Sequence, residues 1–205
     1  MTNSVYKVMQ ERKSVRKYDP GFKISADELR TILLEATSAP SSSNLQPWRF
    51  LVIQDEAKKK DLRKIANNQE QIETASAVIA VLGDTKMYEK TEEIYMKNVA
   101  EGHMEHERAS LLIQNAQNLY PQLPEEILTN IATFDAGLIS MQIMLLAKEH
   151  GYDTVPMGGF DKVKFAEYFN LEENVKPMLL ISIGKGTAPA YGSSRLDIDD
   201  ITTFI

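Results

Sequence analysis

Residues 39–53, APSSSNLQPWRFLVI, pass from a loop to a strand within a single short run. Serines, prolines and an asparagine are turn formers, because their side chains bond the local backbone or preset its φ. From Trp48 to Ile53 the composition becomes β-branched and aromatic, which predicts a strand. A polar loop is thereby held beside a rigid element. On its N-terminal side, Ser25 and Glu28 form a capping box, followed by Leu29, Ile32, Leu33 and Ala36 at helical spacing. That helix must stop before Ala39 and Pro40. Earlier still, Val5, Val8 and Met9 share one helical face, so a first helix is expected to run up to Arg12 and deliver ERKSVRKYD, residues 11–19, at its end.

On the C-terminal side of the strand, residues 56–72 read as helical through Leu62 and Ile65. SAVIAVLG, residues 76–83, is a second strand, apolar enough to be buried on both faces. From Asp84 to about Pro124 charged residues dominate and apolar ones are sparse, which suggests an exposed helical insertion. Leu128 to His150 reads as a helix apolar on most sides, carrying Phe134, Leu138, Ile139, Met141, Met144 and Leu145. It ends at Gly151 as a C-cap. Such a helix must lie in the core or against another subunit. A short helix from Asp161 to Phe169 and the apolar strand PMLLISIGKG complete the pattern, while the closing SSRLDIDDITTFI has no evident partner within the chain. No repeat or linker divides the sequence, so one domain over residues 1–205 is expected.

The chain has 205 residues, 43% of them hydrophobic, and a net charge of -6, which argues against a nucleic-acid partner. There is no cysteine, so thiolate chemistry and disulfides are excluded and a cytoplasmic setting is expected. No apolar run approaches the length needed to span a bilayer, so no membrane partner is expected. Of three histidines, His103 and His106 stand three apart as a weak metal pair, and a solvated acidic helix face explains them better. GxSxG, the P-loop and GxGxxG are all absent. A bound nucleotide would therefore be gripped by side chains. Arg12, Ser14 and Arg16 supply that possibility, since guanidinium forks match phosphate oxygens bidentately. Read alone, the same cluster is simply a cation-rich helix end.

Taken in order, ERKSVRKYD, APSSSNLQPWRF, NNQEQIETASAVIAV, GYDTVPMGGFD and SSRLDI resemble the nitroreductase family of flavin enzymes over nearly the whole chain. The resemblance implies an α+β fold, with a mixed sheet flanked by helices, and an intertwined homodimer whose C-terminal segment crosses to the other subunit, with FMN at each of two interface sites. It implies that Arg12, Ser14 and Arg195 hold the FMN phosphate, with Lys13 acting through its backbone. Arg16, Asn68 and Gln71 would face the pyrimidine edge of the ring. Ser41, Ser42, Ser43 and Asn44 would approach the flavin from the partner chain, and Pro156, Met157, Gly158 and Gly159 would line the ring near N5. No protein acid or base is demanded, because hydride transfer belongs to the flavin.

The expected activity is FMN-dependent NAD(P)H oxidoreduction by a ping-pong cycle, with NADH or NADPH as donor and a small, flat nitroaromatic or quinone as acceptor. The insertion at about 84–124 would form a lid over the acceptor. Many family members carry a lysine where Gln71 stands and another where Ser193 stands, and some have a glutamate in place of Gly158. Phosphate and ring-edge charge are accordingly lower in this chain. Two alternatives stay open: a flavin-binding or redox-sensing module with little turnover, and a specialised enone reductase or dehalogenase.

Overall fold

The computed structural model describes residues 5–205. Every residue of the strand β2 (Ala77–Asp84) is buried, which requires cover on both sides of the sheet. β2 lies between β1 (Trp48–Ile53) and β4 (Val175–Gly184), and β3 (Asp153–Met157) closes the order β1-β2-β4-β3. All three ladders are antiparallel. The parallel component of the expected mixed sheet is confined to one isolated bridge, Ser14 with Thr154.

Successive strand residues point to opposite faces, and the two halves of β2 accordingly enter two cores. Ala77, Ile79 and Val81 pack with Leu29 and Ile32 of α2 (Ala26–Ala36) and with Ala136, Ile139 and Ile143 of α7 (Glu125–Glu149). Val78, Ala80 and Leu82 pack with Leu62 of α3 (Glu56–Ile65), Ile72 of α4 (Glu70–Thr74) and Phe165 of α8 (Lys162–Tyr168). The predicted capping box of α2 is present, with Ser25 and Glu28 bonded reciprocally. α1 (Val5–Glu11) stops one residue before Arg12 and packs on α7.

The single helix expected over 56–72 is broken between α3 and α4. Asn67 and Asn68 adopt left-handed φ values of 54° and 57°, a conformation that short amide side chains tolerate and a helix interior does not. β3 carries Pro156 and escaped the sequence reading; as an edge strand it tolerates a residue without an N–H. Its five residues pair only with Gly184 back to Leu180, so Val175–Leu179 of β4 extend beyond it without a ladder partner on that side.

The insertion holds α5 (Thr91–Ala100) and α6 (His106–Leu119), which pack against each other. His103 lies in the turn between them and His106 opens α6, so the two histidines do not share a helix face. α7 ends at Gly151, whose φ of +83° is the expected left-handed C-cap. An 18-residue window of α7 has a mean hydropathy of 1.4, so by length and composition this helix could cross a membrane, contrary to the sequence expectation. Here it runs along the sheet, touching all four strands.

A lysine is buried beneath the sheet. The Lys59 ammonium donates to the carbonyl of Ala75 at 2.7 Å and that of Glu73 at 3.2 Å, tying α3 to the end of α4. Burial lowers its pKa from the ordinary 10.5. The unfolded chain thus holds this proton to higher pH than the folded one, and stability should rise between the lowered value and about 10.5. Lys59→Met is expected to abolish that rise, measured by urea unfolding across alkaline pH.

Candidate functional site

Arg12 follows α1 directly, its backbone N–H closing the helix on the Val8 carbonyl at 2.9 Å. The chain then turns extended and lies beside the start of β3: the Val15 N–H donates to Thr154 at 3.0 Å. Val15 and Tyr18 anchor it by packing with Ala75 and Val155, which leaves Lys13 and Arg16 outward and exposed. The Arg16 guanidinium donates to the Ser14 carbonyl at 3.2 Å and stands 5.8 Å above the Tyr191 ring. Arg12, Lys13, Arg16 and Lys17 form no ion pair with a described residue. The Arg12 Nε is buried without a hydrogen-bond partner among the described residues, a costly state for a charged donor unless a ligand supplies an acceptor.

The loop between α3 and α4 meets the residues after β3. The Asn67 and Gln69 side-chain amides both donate to the Gly159 carbonyl, at 2.9 and 3.0 Å. Asn68 is tied down by the Arg63 Nε, which donates to its side-chain oxygen at 2.8 Å. The Gln71 amide is buried and donates to Gln69 at 3.0 Å and to the Met157 sulfur at 3.4 Å. Gly158 has open space where a Cβ would stand, so a planar group could approach its backbone closely. Arg12, Ser14, Arg16, Asn68, Gln71 and Pro156–Gly159 are thus gathered around β3 and the segments beside it.

The serine loop is elsewhere. Ser43, Asn44 and Gln46 have φ values of 50°, 55° and 49°. Left-handed backbone costs roughly 1–2 kcal/mol per non-glycine residue, so the loop needs restraint. Both Asp135 carboxylate oxygens accept the Ser42 N–H at 3.0 Å, and one also accepts the Ser42 hydroxyl. Asp135 is fully buried on α7; burial pushes its carboxyl above the ordinary carboxylate range, and the two bonds from Ser42 pull it back down. The Tyr95 hydroxyl of α5 donates to the Ser43 carbonyl at 2.8 Å, and the Tyr120 hydroxyl, just past α6, donates to the Ser43 Oγ at 3.1 Å. Burial, and then Tyr120, raises the pKa of Tyr95.

Helix α7 measures the gap between the two groups. Asp135 holds the serine loop, and Lys148 pairs at 3.2 Å with Asp153, the neighbour of Thr154. The thirteen intervening helical steps correspond to about 20 Å. The sheet register agrees, since Trp48 aligns with Gly83 at one end and Thr154 with Ile183 at the other. Arg195 joins neither group: its guanidinium bonds only Ser193 and the Ser194 carbonyl in an exposed tail.

Residues 9–185 match the Nitroreductase family. This chain belongs to the nitroreductase family. Members are oxidoreductase flavoenzymes that use FMN with NAD(P)H. A Bacillus subtilis (strain 168) relative provisionally named NAD(P)H nitroreductase YdgI is 46% identical over 202 residues, covering 98% of this chain and 97% of its own. The crystal structure of a provisionally assigned nitroreductase in complex with FMN from Exiguobacterium sibiricum 255-15 superposes with a TM-score of 0.94 at 44% identity, over 100% of both chains. The CLA biosynthesis enone reductase of Lactiplantibacillus plantarum is 33% identical over 208 residues, covering 100% of this chain and 96% of its own.

The nitroreductase motifs point to the serine loop and the basic segment but not to what holds them. Asp135 had a legible signal, a lone carboxylate inside an otherwise apolar helical run. Asn67 and Gln69 flank the expected Asn68 without a signal of their own, and Tyr95 and Tyr120 sit within a charged insertion whose pattern marks no particular aromatic.

Proposed function

We propose that this chain is an FMN-dependent NAD(P)H oxidoreductase acting as a cytoplasmic homodimer on small, flat acceptors such as nitroaromatics or quinones. The observation that carries the reading is the buried Arg12 Nε, without a hydrogen-bond partner among the described residues, within a group of cations that have no counter-ion among them. Donors of that kind fit a phosphate monoester, and Gly158 fits the close approach of a ring. Arg12 and Ser14, with the Lys13 backbone, would hold the phosphate. Arg16, Asn68 and Gln71 would meet the pyrimidine edge. With Gln71 neutral, Arg16 is the one full positive charge among these three, and it would favour an electron-rich ring. Pro156, Met157, Gly158 and Gly159 would support the ring face, and the helices at 84–124 would cover the acceptor. When bound, FMN would supply hydride transfer through N5 between NAD(P)H and the acceptor, in a ping-pong cycle.

A second chain accounts for the separation of the two groups. The Ser41–Asn44 loop, about 20 Å from the basic segment by helical rise, would serve the partner's flavin. Apolar side chains favour the same arrangement: Phe134 and Met141 of α7 and Tyr6 and Met9 of α1 are exposed, as are Leu196, Ile198, Ile201 and Phe204 of the tail. Isolated exposed apolar residues are ordinary, but a helix face and a tail together call for cover. The tail crossing to the partner would also carry Arg195 toward a phosphate. A narrower reading, enone reduction, is favoured by the Lactiplantibacillus relative.

Arg12→Ala and Arg195→Ala should each weaken FMN binding by about 1.5–3 kcal/mol, the usual loss for charged hydrogen bonds. Variants that purify as yellow as the parent would contradict the phosphate assignment. Anaerobic mixing with NADH or NADPH is expected to bleach the flavin absorption band. A flavin that stays oxidised leaves only a binding or sensing role, and steady-state rates on nitroaromatics, quinones and enones separate the acceptor classes. Phe134→Lys should convert the dimer to a flavin-poor monomer in analytical ultracentrifugation, whereas an unaltered dimer would overturn the interface.

A further inference from the structure

Three side chains bind the serine loop and are not used by the chemistry above. Asp135 is fully buried, yet its carboxylate is spent on the N–H and hydroxyl of Ser42. It rises from α7 beside Ala132 and Ala136, both packed in the main core, so its position is that of the sheet itself. From the other side come two phenols. Tyr95 and Tyr120 bond the carbonyl and the hydroxyl of Ser43, the first left-handed residue of the loop. The Tyr120 ring is further stacked on Tyr88, with centroids 6.2 Å apart and planes at 20°.

We propose that Asp135, Tyr95 and Tyr120 are positioning residues that clamp the Ser41–Asn44 loop for FMN, coupling its conformation to that of helices α5 and α6. The proposal rests on the flavin reading of this loop. Two consecutive residues are gripped through both backbone and side chain, one from the core and one from the insertion. The loop buries little of its own to replace that grip: Leu45 is deeply buried, while Ser43 and Asn44 are exposed. Without the phenols, Ser43 and Asn44 would relax from their left-handed backbone, while the two cores around β2 would be untouched. A movement of α5 or α6 on binding an acceptor would reach the cofactor through the same two hydroxyls.

The test uses the full-length holoprotein. Tyr95→Phe/Tyr120→Phe removes two hydroxyls and almost no volume, and Asp135→Asn turns one acceptor into a donor facing the Ser42 N–H. Each should raise the FMN dissociation constant, read from flavin fluorescence, by about tenfold, equivalent to about 1.4 kcal/mol. The melting temperature of the flavin-free double variant should stay within about 2 °C of the parent, less than a 1 kcal/mol loss would shift it. Tyr152→Phe deletes a phenol bonded to Glu28 at 2.6 Å, far from the loop, and should leave FMN binding unchanged. An FMN dissociation constant within twofold of the parent in the double variant overturns the clamp. So does a loss of FMN matched by an equal loss of stability in the flavin-free protein. If Arg12→Ala keeps FMN while the clamp variants lose it, the clamp stands and the phosphate assignment falls. The opposite pattern removes the clamp alone, and a parent that never binds FMN removes both.

Discussion

Covering both faces of β2 is the requirement on which the remaining architecture depends. A strand with eight buried residues cannot sit at the surface of a two-layer protein, so helices are needed above and below it. α2 and α7 supply one layer; α3, α4 and α8 supply the other. That division decides where polar loops can emerge. The serine loop leaves from the end of the first layer, over Asp135 of α7. The Asn67–Gln69 loop leaves from the second and reaches Gly159. Each of the two groups of proposed binding residues therefore inherits its place from a different helix layer.

Much of this was legible in local pattern. The capping box at Ser25, the strand at Trp48–Ile53, the continuous apolar run of β2 and the glycine stop of α7 each rest on a few adjacent residues, and each appears with the boundaries nearly as read. The failures share a cause. The break between α3 and α4 rests on left-handed asparagines, whose φ is chosen by the bonds from Asn67 and Gln69 to Gly159, about ninety residues away in sequence. β3 is an edge strand with a proline, so its identity comes from its ladder with β4 and not from its own propensity. The membrane-like hydropathy of α7 likewise has a tertiary origin in part: the helix packs on all four strands, while its apolar Phe134 and Met141 stay exposed.

The proposed site residues divide in the same manner. Arg12, Ser14, Arg16 and the serine loop stand in compact motifs, and the motifs alone pointed to them. Of their supports, Asp135 stands out as a lone carboxylate in a mainly apolar helix, whereas Tyr95, Tyr120, Asn67 and Gln69 have no short-range signature. Groups that touch a ligand are confined to a few residue types by its chemistry. Groups that hold those residues need only to arrive at the right distance, from whatever element the topology brings near.

The unequal lengths of β3 and β4 have a consequence for association between chains. Beyond Leu180, β4 offers an unpaired run of backbone, a place where a stray strand from another molecule could add. Lys176 and Pro177 stand in that run; one brings a charge that resists burial and the other lacks the N–H that a new ladder would use. The overhang beside Gly158 and Gly159 is therefore a poor template for aggregation although it has no ladder partner on that side.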